Sequence, residues 1–297
     1  MTAETLTADI AQDRSIQAAS TAFRTLEGDG FEVRRAIPGA GFEAVGPFIF
    51  LDHFGPISVR PGEAKGASAH PHAGIETLTL LLEGRQTHKD SLGNISSMRA
   101  GEAQWMRAGR GIVHDEGPDE AMRRDGGPLH GVQLWLNLPA GHKHDDPAYR
   151  HIAADEVPQI ASPDGTASVR LFAGRIGALS GPIESFGAPF VAQATFTADG
   201  RITLPAGAPR ELAAYVMTGA VRLADDGPAL DAGRIGRLTD GAAITLIATA
   251  GTEVLLVGGD PLDAPIVRHG PFVMNRIDEL ERAVLDYHAG RMGRIAT

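Results

Sequence analysis

Two short motifs place metal-binding side chains two residues apart. His70 and His72 lie in GASAHPHAGIETLTLLLEG, and His114 and Glu116 lie in AGRGIVHDEGP. Residues i and i+2 of a strand point to the same face, so two such pairs on adjacent strands would gather three imidazoles and one carboxylate. These ligand types suit Fe, Mn, Ni or Zn. A structural zinc ion would be closed by four ligands, whereas an octahedral ion would keep two positions for substrate and oxygen.

Most of the other histidines have a plainer interpretation. The chain has 11 histidines, and a single H-x-H motif is usually part of a surface or a core. We interpret His142-Lys143-His144 as a solvated loop, because no apolar strand frames it. We expect His88 to be partly exposed and to bond Asp90 or the backbone, and a position facing the barrel mouth is the alternative. The histidines that we assign to structural roles are His53, His130, His151, His269 and His288.

Composition excludes several kinds of site and partner. The chain has no cysteine, which removes disulfides, thiolate zinc sites and cysteine nucleophiles. The net charge of −10 and pI of about 5.5 lack the basic footprint of a direct nucleic-acid binder. No apolar run reaches the ~18 residues of a membrane span, and the N-terminus lacks the apolar stretch of a signal peptide. We therefore expect a soluble cytoplasmic protein that contacts neither nucleic acid nor membrane.

The elements that must position these side chains are mostly short strands. The 37 glycines and 19 prolines indicate many turns. Val132, Leu134 and Leu136 share one parity and should lie on one face of a strand. Strand-like segments stand on both sides of a polar stretch, and similar strand-glycine-strand patterns suggest a weak internal repeat. Near the C-terminus, Ile277, Leu280, Val284 and Tyr287 recur at helical spacing, and Gly290 is a candidate C-cap.

Longer motifs resemble the pirin family of the cupin superfamily. The matching segments are HPHAGIETL, DSLG, GEAQWMRAGRGIVHDE, FLDHFGP, GVQLWLNLP and PIVRHGPFVMN, and the resemblance spans residues 24–292. It implies an all-β fold with two cupin β-barrels of jelly-roll type and a C-terminal α-helix. The expected divisions are an arm at 1–22, a metal-binding barrel at 23–145, a linker at 146–166, and a barrel without a metal site plus the helix at 167–297.

The resemblance also implies a metal centre in the first barrel. Pirins hold one iron ion, and the matching positions here are His70, His72, His114 and Glu116. Iron(II) is the expected metal, with Mn, Ni, Cu and Zn as alternatives. General cupins would use a glutamate at the position of Glu76; the resemblance to pirins instead assigns Glu76 either to contacts behind the metal ligands or to barrel support. No histidine lies between His151 and His269, so the second barrel cannot build an equivalent site.

The family resemblance suggests a dioxygenase that opens a flavonol such as quercetin with O2. Glu116 would act as the general base toward the flavonol 3-hydroxyl. Phe50, Trp105 and Met106 are candidates for an apolar mouth. The alternative is a non-catalytic, redox-sensing iron protein that binds a transcription factor or a metabolic enzyme. The sequence does not separate these functions, and a monomer is the expected state.

Overall fold

Short antiparallel strands form most of the chain, as the glycine and proline content predicts. The structure is a computed structural model that describes residues 13–205, 210–262 and 264–295. The first part of the chain contains β1 (Ile16–Thr21), β2 (Phe23–Glu27), β3 (Phe31–Ile37), β4 (Phe48–Val59), β5 (Ala67–His72), β6 (Ile75–Glu83), β7 (Arg85–Asp90), β8 (Ile95–Arg99), β9 (Ala103–Arg107), β10 (Ile112–Pro118), α1 (Glu120–Asp125), β11 (Gly127–Asn137) and β12 (Ala148–Ile152). The second part contains β13 (Gln159–Ala161), β14 (Ala167–Ala173), β15 (Arg175–Ile176), β16 (Leu179–Ser180), β17 (Phe190–Phe196), β18 (Gly200–Pro205), β19 (Glu211–Thr218), β20 (Ala220–Leu223), β21 (Ala229–Asp231), β22 (Arg234–Leu238), β23 (Ala243–Ala248), β24 (Glu253–Gly259), β25 (Val267–His269), β26 (Phe272–Met274) and α2 (Ile277–His288).

Each half is built from a seven-stranded sheet and a four-stranded sheet. In the N-terminal half the strand orders are β12-β9-β6-β11-β4-β3-β2 and β5-β10-β7-β8. In the C-terminal half they are β1-β22-β19-β24-β17-β14-β13 and β18-β23-β20-β21. Two facing sheets of this kind form a jelly roll. The expected all-β fold of two cupin-type jelly rolls with a C-terminal helix is confirmed, and each roll is a pair of sheets rather than a closed ring.

The two seven-stranded sheets pack against each other through one apolar face each. Val132, Leu134 and Leu136 belong to a core cluster that also contains Tyr215 and Leu255 of the other half. The shared parity predicted for the three β11 residues is therefore confirmed. The intervening residues of β11 point to the opposite face, into the interior of the N-terminal half. This alternation makes one strand serve both the junction between the halves and the candidate site.

The interiors of the two halves differ. In the C-terminal half, buried aliphatic residues from both sheets, such as Val169, Leu204 and Leu246, fill the space. In the N-terminal half the corresponding space holds the histidine cluster and an open cavity. The difference follows from the polar residues that β5, β9, β10 and β11 direct inward.

Several segments depart from the divisions expected from the sequence. Residues 1–12 of the predicted arm lie outside the described residues, and β1 at 16–21 joins the C-terminal sheet beside β22. The stretch 146–166, predicted to be a linker, contains two strands. One of them, β12, pairs with β9 of the N-terminal half, and the other, β13, pairs with β14 of the C-terminal half. Polar composition obscured these strands because both are edge strands with one solvated side.

The C-terminal helix packs against the N-terminal half. Leu280 and Ala283 of α2 lie in a cluster with Ala73 and Val113 of the N-terminal half. The predicted apolar stripe is present in part, since Ile277 is 68% exposed. The helix ends at His288 with Ala289 as its cap, and Gly290 follows at φ +71°. The final segment thus returns over the strands that carry the histidines. Among the described residues no helix has the length and apolarity needed to cross a bilayer.

Candidate metal centre

The two histidine-containing motifs lie on paired strands. His70 and His72 are on β5, which is the edge strand of the four-stranded sheet and therefore tolerates Pro71. His114 on β10 lies directly opposite His70, and the register shifts between His114 and Glu116. Ligand atoms of His70, His72 and His114 all lie within 4.8 Å of one another. The strand spacing thus brings the three imidazoles together. A second such group consists of His88, His114 and Glu116.

The imidazole nitrogens are arranged to receive a cation. His70 Nε2 lies 3.1 Å from His72 Nε2 and 2.9 Å from His114 Nε2. The Nδ1 atoms of His70 and His72 lie 2.9 Å from Ser68 O and 3.1 Å from Pro271 O. A carbonyl only accepts, so each Nδ1 carries a hydrogen, and Nε2 is the ring nitrogen left to bind a cation. A metal bound by imidazoles at about 2.1 Å holds cis nitrogens about 3 Å apart.

Burial keeps two of these rings neutral. Desolvation and the neighbouring His70 lower the pKa of His72 to about 3. Desolvation and the surrounding histidines also lower the pKa of His114 well below its ordinary value. His114 Nδ1 is buried and has no hydrogen-bond partner among the described residues. Neutral imidazole is the form that binds metal, so the donor set fits a divalent transition ion.

Glutamine amides from the opposite sheet hold the Glu116 carboxylate. Gln133 Nε2 donates to Glu116 Oε2 at 2.7 Å, and Gln104 Nε2 donates to Glu116 Oε1. Although burial favours the neutral acid, His88, His70 and the hydrogen bond from Gln133 lower the pKa of Glu116. Glu116 is therefore a buried, oriented carboxylate beside the three imidazoles. The sequence analysis missed both glutamines, because nothing in GEAQWM or GVQLWL shows that their strands face β10.

His88 is buried, contrary to the expected partial exposure. It is 1% exposed, its Nε2 lies 3.1 Å from Asp90 Oδ2, and its Nδ1 lies 3.8 Å from Glu116 Oε1. Its ring stacks on Tyr149 with centroids 4.2 Å apart. Burial opposes protonation, but Asp90 and Glu116 raise the pKa of His88 to about 9. The predicted bond to Asp90 is present, and the ring closes the inner side of the cluster.

A cavity of about 680 Å³ opens beside the cluster. His70, His72 and Glu116 form part of its wall. The other lining residues on which the argument below depends are Phe23, Glu27, Phe31, Arg35, Phe50, Asp52, Phe54, Gln133 and Trp135. Phe50, which the sequence analysis proposed for the mouth, does line the cavity.

Trp105 and Met106 do not line this cavity, so their assignment to the mouth is corrected. Trp105 faces the junction between the halves and donates from Nε1 to Glu76 Oε2 at 3.1 Å. Met106 is 1% exposed and packs in a core cluster with Ile75. The aromatic wall is instead built by Trp135 of β11, which stacks on Phe50 with ring centroids 4.4 Å apart.

Glu76 lies outside both metal-binding groups. Its carboxylate accepts from Trp105 Nε1 and from Ser185 Oγ of the C-terminal half. Burial raises the pKa of Glu76 despite these donors. Its contacts connect the two halves, which fits the second of the two roles expected for it, barrel support.

The remaining histidines make structural contacts or are exposed. His53 Nδ1 lies 2.9 Å from Tyr215 Oη, and His53 Nε2 lies 2.8 Å from His130 Nε2. His151 Nε2 lies 3.1 Å from Glu102 Oε2. His144, His269 and His288 are not buried. The segment His142-Lys143-His144, expected to be a solvated loop, is buried at its central residue. Lys143 is 0% exposed and donates to Gly74 O, Val273 O and Asn137 Oδ1.

Comparison with known families gives matches in both halves. Residues 30–136 match the Pirin family, and residues 191–293 match the Pirin C-terminal cupin domain. A Pseudomonas aeruginosa protein named "putative quercetin 2,3-dioxygenase" is 36% identical over 93% of this chain and 97% of its own length. Pirin of Rattus norvegicus is 31% identical over 90% of this chain and 89% of its own length.

Solved structures show the same architecture. The crystal structure of a quercetin 2,3-dioxygenase from Acinetobacter baumannii has a TM-score of 0.89 and 31% identity, covering 96% of this chain and all of that one. A nickel-bound bacterial pirin from Escherichia coli, at 23% identity and a TM-score of 0.59, covers 82% of this chain and 99% of its own. The similarity to the Escherichia coli pirin supports the fold alone.

Proposed function

Because this chain belongs to the pirin family, we propose that it is an iron-dependent dioxygenase that opens the ring of a flavonol such as quercetin. The reaction consumes O2 and releases carbon monoxide. The observation that carries the proposal is the cluster of three converging imidazoles and one carboxylate at the wall of an aromatic-lined cavity. Clefts of this kind, apolar with a few convergent polar groups, are typical small-molecule sites.

His70, His72, His114 and Glu116 are the proposed ligands of the metal. The support is the chemistry of the donors, namely three imidazole Nε2 atoms that lie close together and a carboxylate beside them. Iron is the proposed metal on the family resemblance, and Mn, Ni, Cu and Zn have suitable ligand chemistry as well. When bound, the ion supplies Lewis acidity and a path for electrons to oxygen.

Glu116 is the proposed general base. It lines the cavity, and Gln104 and Gln133 fix the direction of its two oxygens. A flavonol 3-hydroxyl placed beside Oε2 can transfer its proton to that atom, provided that the contact from Gln133 yields. The aromatic wall of Phe50 and Trp135 holds the flat ring system and excludes water from the reacting end.

The decisive experiment measures oxygen uptake. The protein is purified anaerobically, its iron content is determined, and oxygen consumption is followed together with the loss of flavonol absorbance. We expect uptake of one O2 per flavonol consumed, with carbon monoxide as a product. A protein that carries one iron and consumes no oxygen with any flavonol would contradict the proposal and favour the alternative of a non-catalytic iron protein with a regulatory partner.

A further inference from the structure

Aromatic residues are concentrated in the cavity. They make up 5% of the chain, yet four of the 11 phenylalanines and one of the two tryptophans line this cavity. The rings are those of Phe23, Phe31, Phe50, Phe54 and Trp135. Aromatic faces pack best against flat rings, in offset or edge-on arrangements. The wall is thus suited to a flat aromatic ligand rather than to an extended aliphatic one.

A stack of side chains runs from the metal-ligand cluster to a charged group. The Trp135 ring lies 4.9 Å from the His72 ring, edge to face, and stacks on Phe50 at 4.4 Å. The Arg35 guanidinium lies 3.9 Å from the Phe50 centroid on this same wall. Two aromatic rings therefore separate Arg35 from His72. A ligand anchored at the imidazole cluster and lying along this wall reaches Arg35 with its other end.

Arg35 belongs to a group of three charged residues with a net charge of −1. Arg35 Nε donates to Asp52 Oδ1 at 2.9 Å, and Arg35 Nη2 donates to Asp52 Oδ2 at 2.8 Å. Arg35 Nη2 also donates to Glu27 Oε1. Its third nitrogen, Nη1, has no hydrogen-bond partner within the described ranges. All three residues line the cavity, and the Arg35 side chain is 16% exposed.

Resting on the proposed function, we propose that Arg35, Asp52 and Glu27 select flavonols whose phenyl substituent carries neutral hydroxyl groups. A phenolic hydroxyl both donates and accepts. It can therefore donate to a carboxylate oxygen of Asp52 or Glu27 while it accepts from Arg35 Nη1. An unsubstituted phenyl ring covers Arg35 Nη1 without giving it an acceptor, which costs affinity. A carboxylate substituent accepts but cannot donate, and it adds a second negative charge to a group that is already negative.

The test is anaerobic titration calorimetry on the iron-loaded protein, so that binding is measured without turnover. The probes are quercetin, whose phenyl ring carries two hydroxyls, galangin, whose phenyl ring carries none, and a flavonol with a carboxylate on that ring. We expect quercetin to bind about tenfold more tightly than galangin, since hydrogen bonds to charged groups supply about that factor. The carboxylate probe should bind least tightly.

Two Glu-to-Gln variants on the paired strands β2 and β3 provide a test and its matched control. Glu27→Gln removes one negative charge from the cavity group, so the preference for quercetin over galangin should fall about threefold and the carboxylate probe should bind more tightly. Glu32→Gln alters only the exposed Arg24–Glu32 pair, in which both side chains are more than half exposed, and should leave all three affinities unchanged. Arg35→Met should abolish the preference.

Equal binding of quercetin and galangin by the unmodified protein would overturn the proposal, and so would an equal response to Glu27→Gln and Glu32→Gln. A failure of the proposed function is seen separately. If quercetin binds with the expected preference but no oxygen is consumed, selection by the charged group stands and the dioxygenase reaction does not.

Discussion

His114 is the most enclosed member of the imidazole cluster, and its substitution tests the metal centre directly. It is 0% exposed, and its Nε2 lies 2.9 Å from His70 Nε2. His114→Ala removes one donor from the middle of the group, so we expect metal affinity to fall by more than about 100-fold. Metal content after anaerobic purification and a titration with iron(II) would measure the loss.

His144→Ala is the matched control, because His144 is exposed and lies in the loop outside the cluster. It should retain one metal ion per chain. If His114→Ala also retained a full equivalent with unchanged affinity, the proposed ligand set would be wrong.

His130 should make the stability of the protein fall in mild acid. Burial and the nearby Arg34 lower the pKa of His130 in the folded protein to about 4. The unfolded chain protonates near pH 6.5, so between pH 6.5 and 4 it binds the proton that the folded chain refuses, and stability falls as pH falls. A shift of this size corresponds to at most about 3 kcal/mol.

The measurement compares unfolding by urea at pH 7 and pH 4.5 for the unmodified protein and His130→Gln. His53, Tyr215 and Glu253 are the other ionisable groups around this ring. These groups are common to both proteins, but the pKa of His53 depends on His130, so the difference measures the coupled His53–His130 pair. We expect His130→Gln to be less stable at pH 7 and to lose less stability on acidification. Parallel pH profiles would contradict this account.

The ligand candidates could be predicted from the sequence because a strand has period two. The H-x-H and H-x-E spacings place each pair on one face whatever the rest of the fold does. Gln104 and Gln133 could not be predicted in this way. Their contacts with Glu116 depend on β9 and β11 lying opposite β10, which is a property of the sheet pairing. His88 was likewise expected to be partly exposed, because the polar run THKD conceals a strand that is buried on one side.

At the scale of elements, the alternation of side chains along β9 and β11 decides which aromatic residues reach the cavity. Gln104 points inward from β9, so Trp105 points toward the other half. Gln133 points inward from β11, and Trp135 shares its parity and lines the cavity. The apolar composition of both strands predicted that they are strands. It did not reveal which face of β9 is interior, because both faces are covered.

Lys143 connects three elements around the start of β6. Its ammonium donates to Gly74 O at 2.8 Å and to Val273 O at 2.9 Å, and it also donates to Asn137 Oδ1. Burial lowers its pKa to about 7. Lys143→Met would leave three buried acceptors without this donor, so we expect a loss of about 3 kcal/mol of stability. For a chain of this size that unfolds as one unit, the melting temperature should fall by roughly 5 °C.

The same substitution should weaken metal binding, because the β25–β26 hairpin that Lys143 holds also supplies the Pro271 carbonyl that orients His72. Arg110→Met is the control. It breaks the ion pair with Asp146, in which both side chains are more than half exposed, and should change stability by less than about 1 kcal/mol. Equal melting temperatures for the two variants would show that Lys143 is not the connection described.

At the scale of the whole molecule, the halves repeat one plan with different contents. The strand orders of the two sheet pairs correspond position by position, and the weak repeat in the sequence has this origin. The residues of β18 and β23 that face the interior of the C-terminal half are aliphatic, among them Ile202, Leu204, Ile244 and Leu246. Both candidate metal-binding groups in the described part of the chain lie in the N-terminal half.

The edges of the two large sheets couple the halves further. The strand β1, from the start of the chain, occupies the place in the C-terminal sheet that β12 occupies in the N-terminal sheet. The helix α2, from the end of the chain, packs beside β5 and β10. The sequence could not predict these exchanges, because they depend on tertiary contacts between segments far apart in the chain.

One cooperative unfolding transition should follow from this coupling. A single apolar cluster contains residues of both halves, and Tyr215 of one half bonds His53 of the other. Iron(II) held anaerobically at 100 times its Kd should stabilise the folded chain by about 2.7 kcal/mol. Because the halves unfold together, calorimetry should show a single transition whose melting temperature rises when iron(II) is added. The melting temperature of His114→Ala should not change on the same addition. Two transitions, of which only one responds to iron, would show that the shared core does not couple the halves.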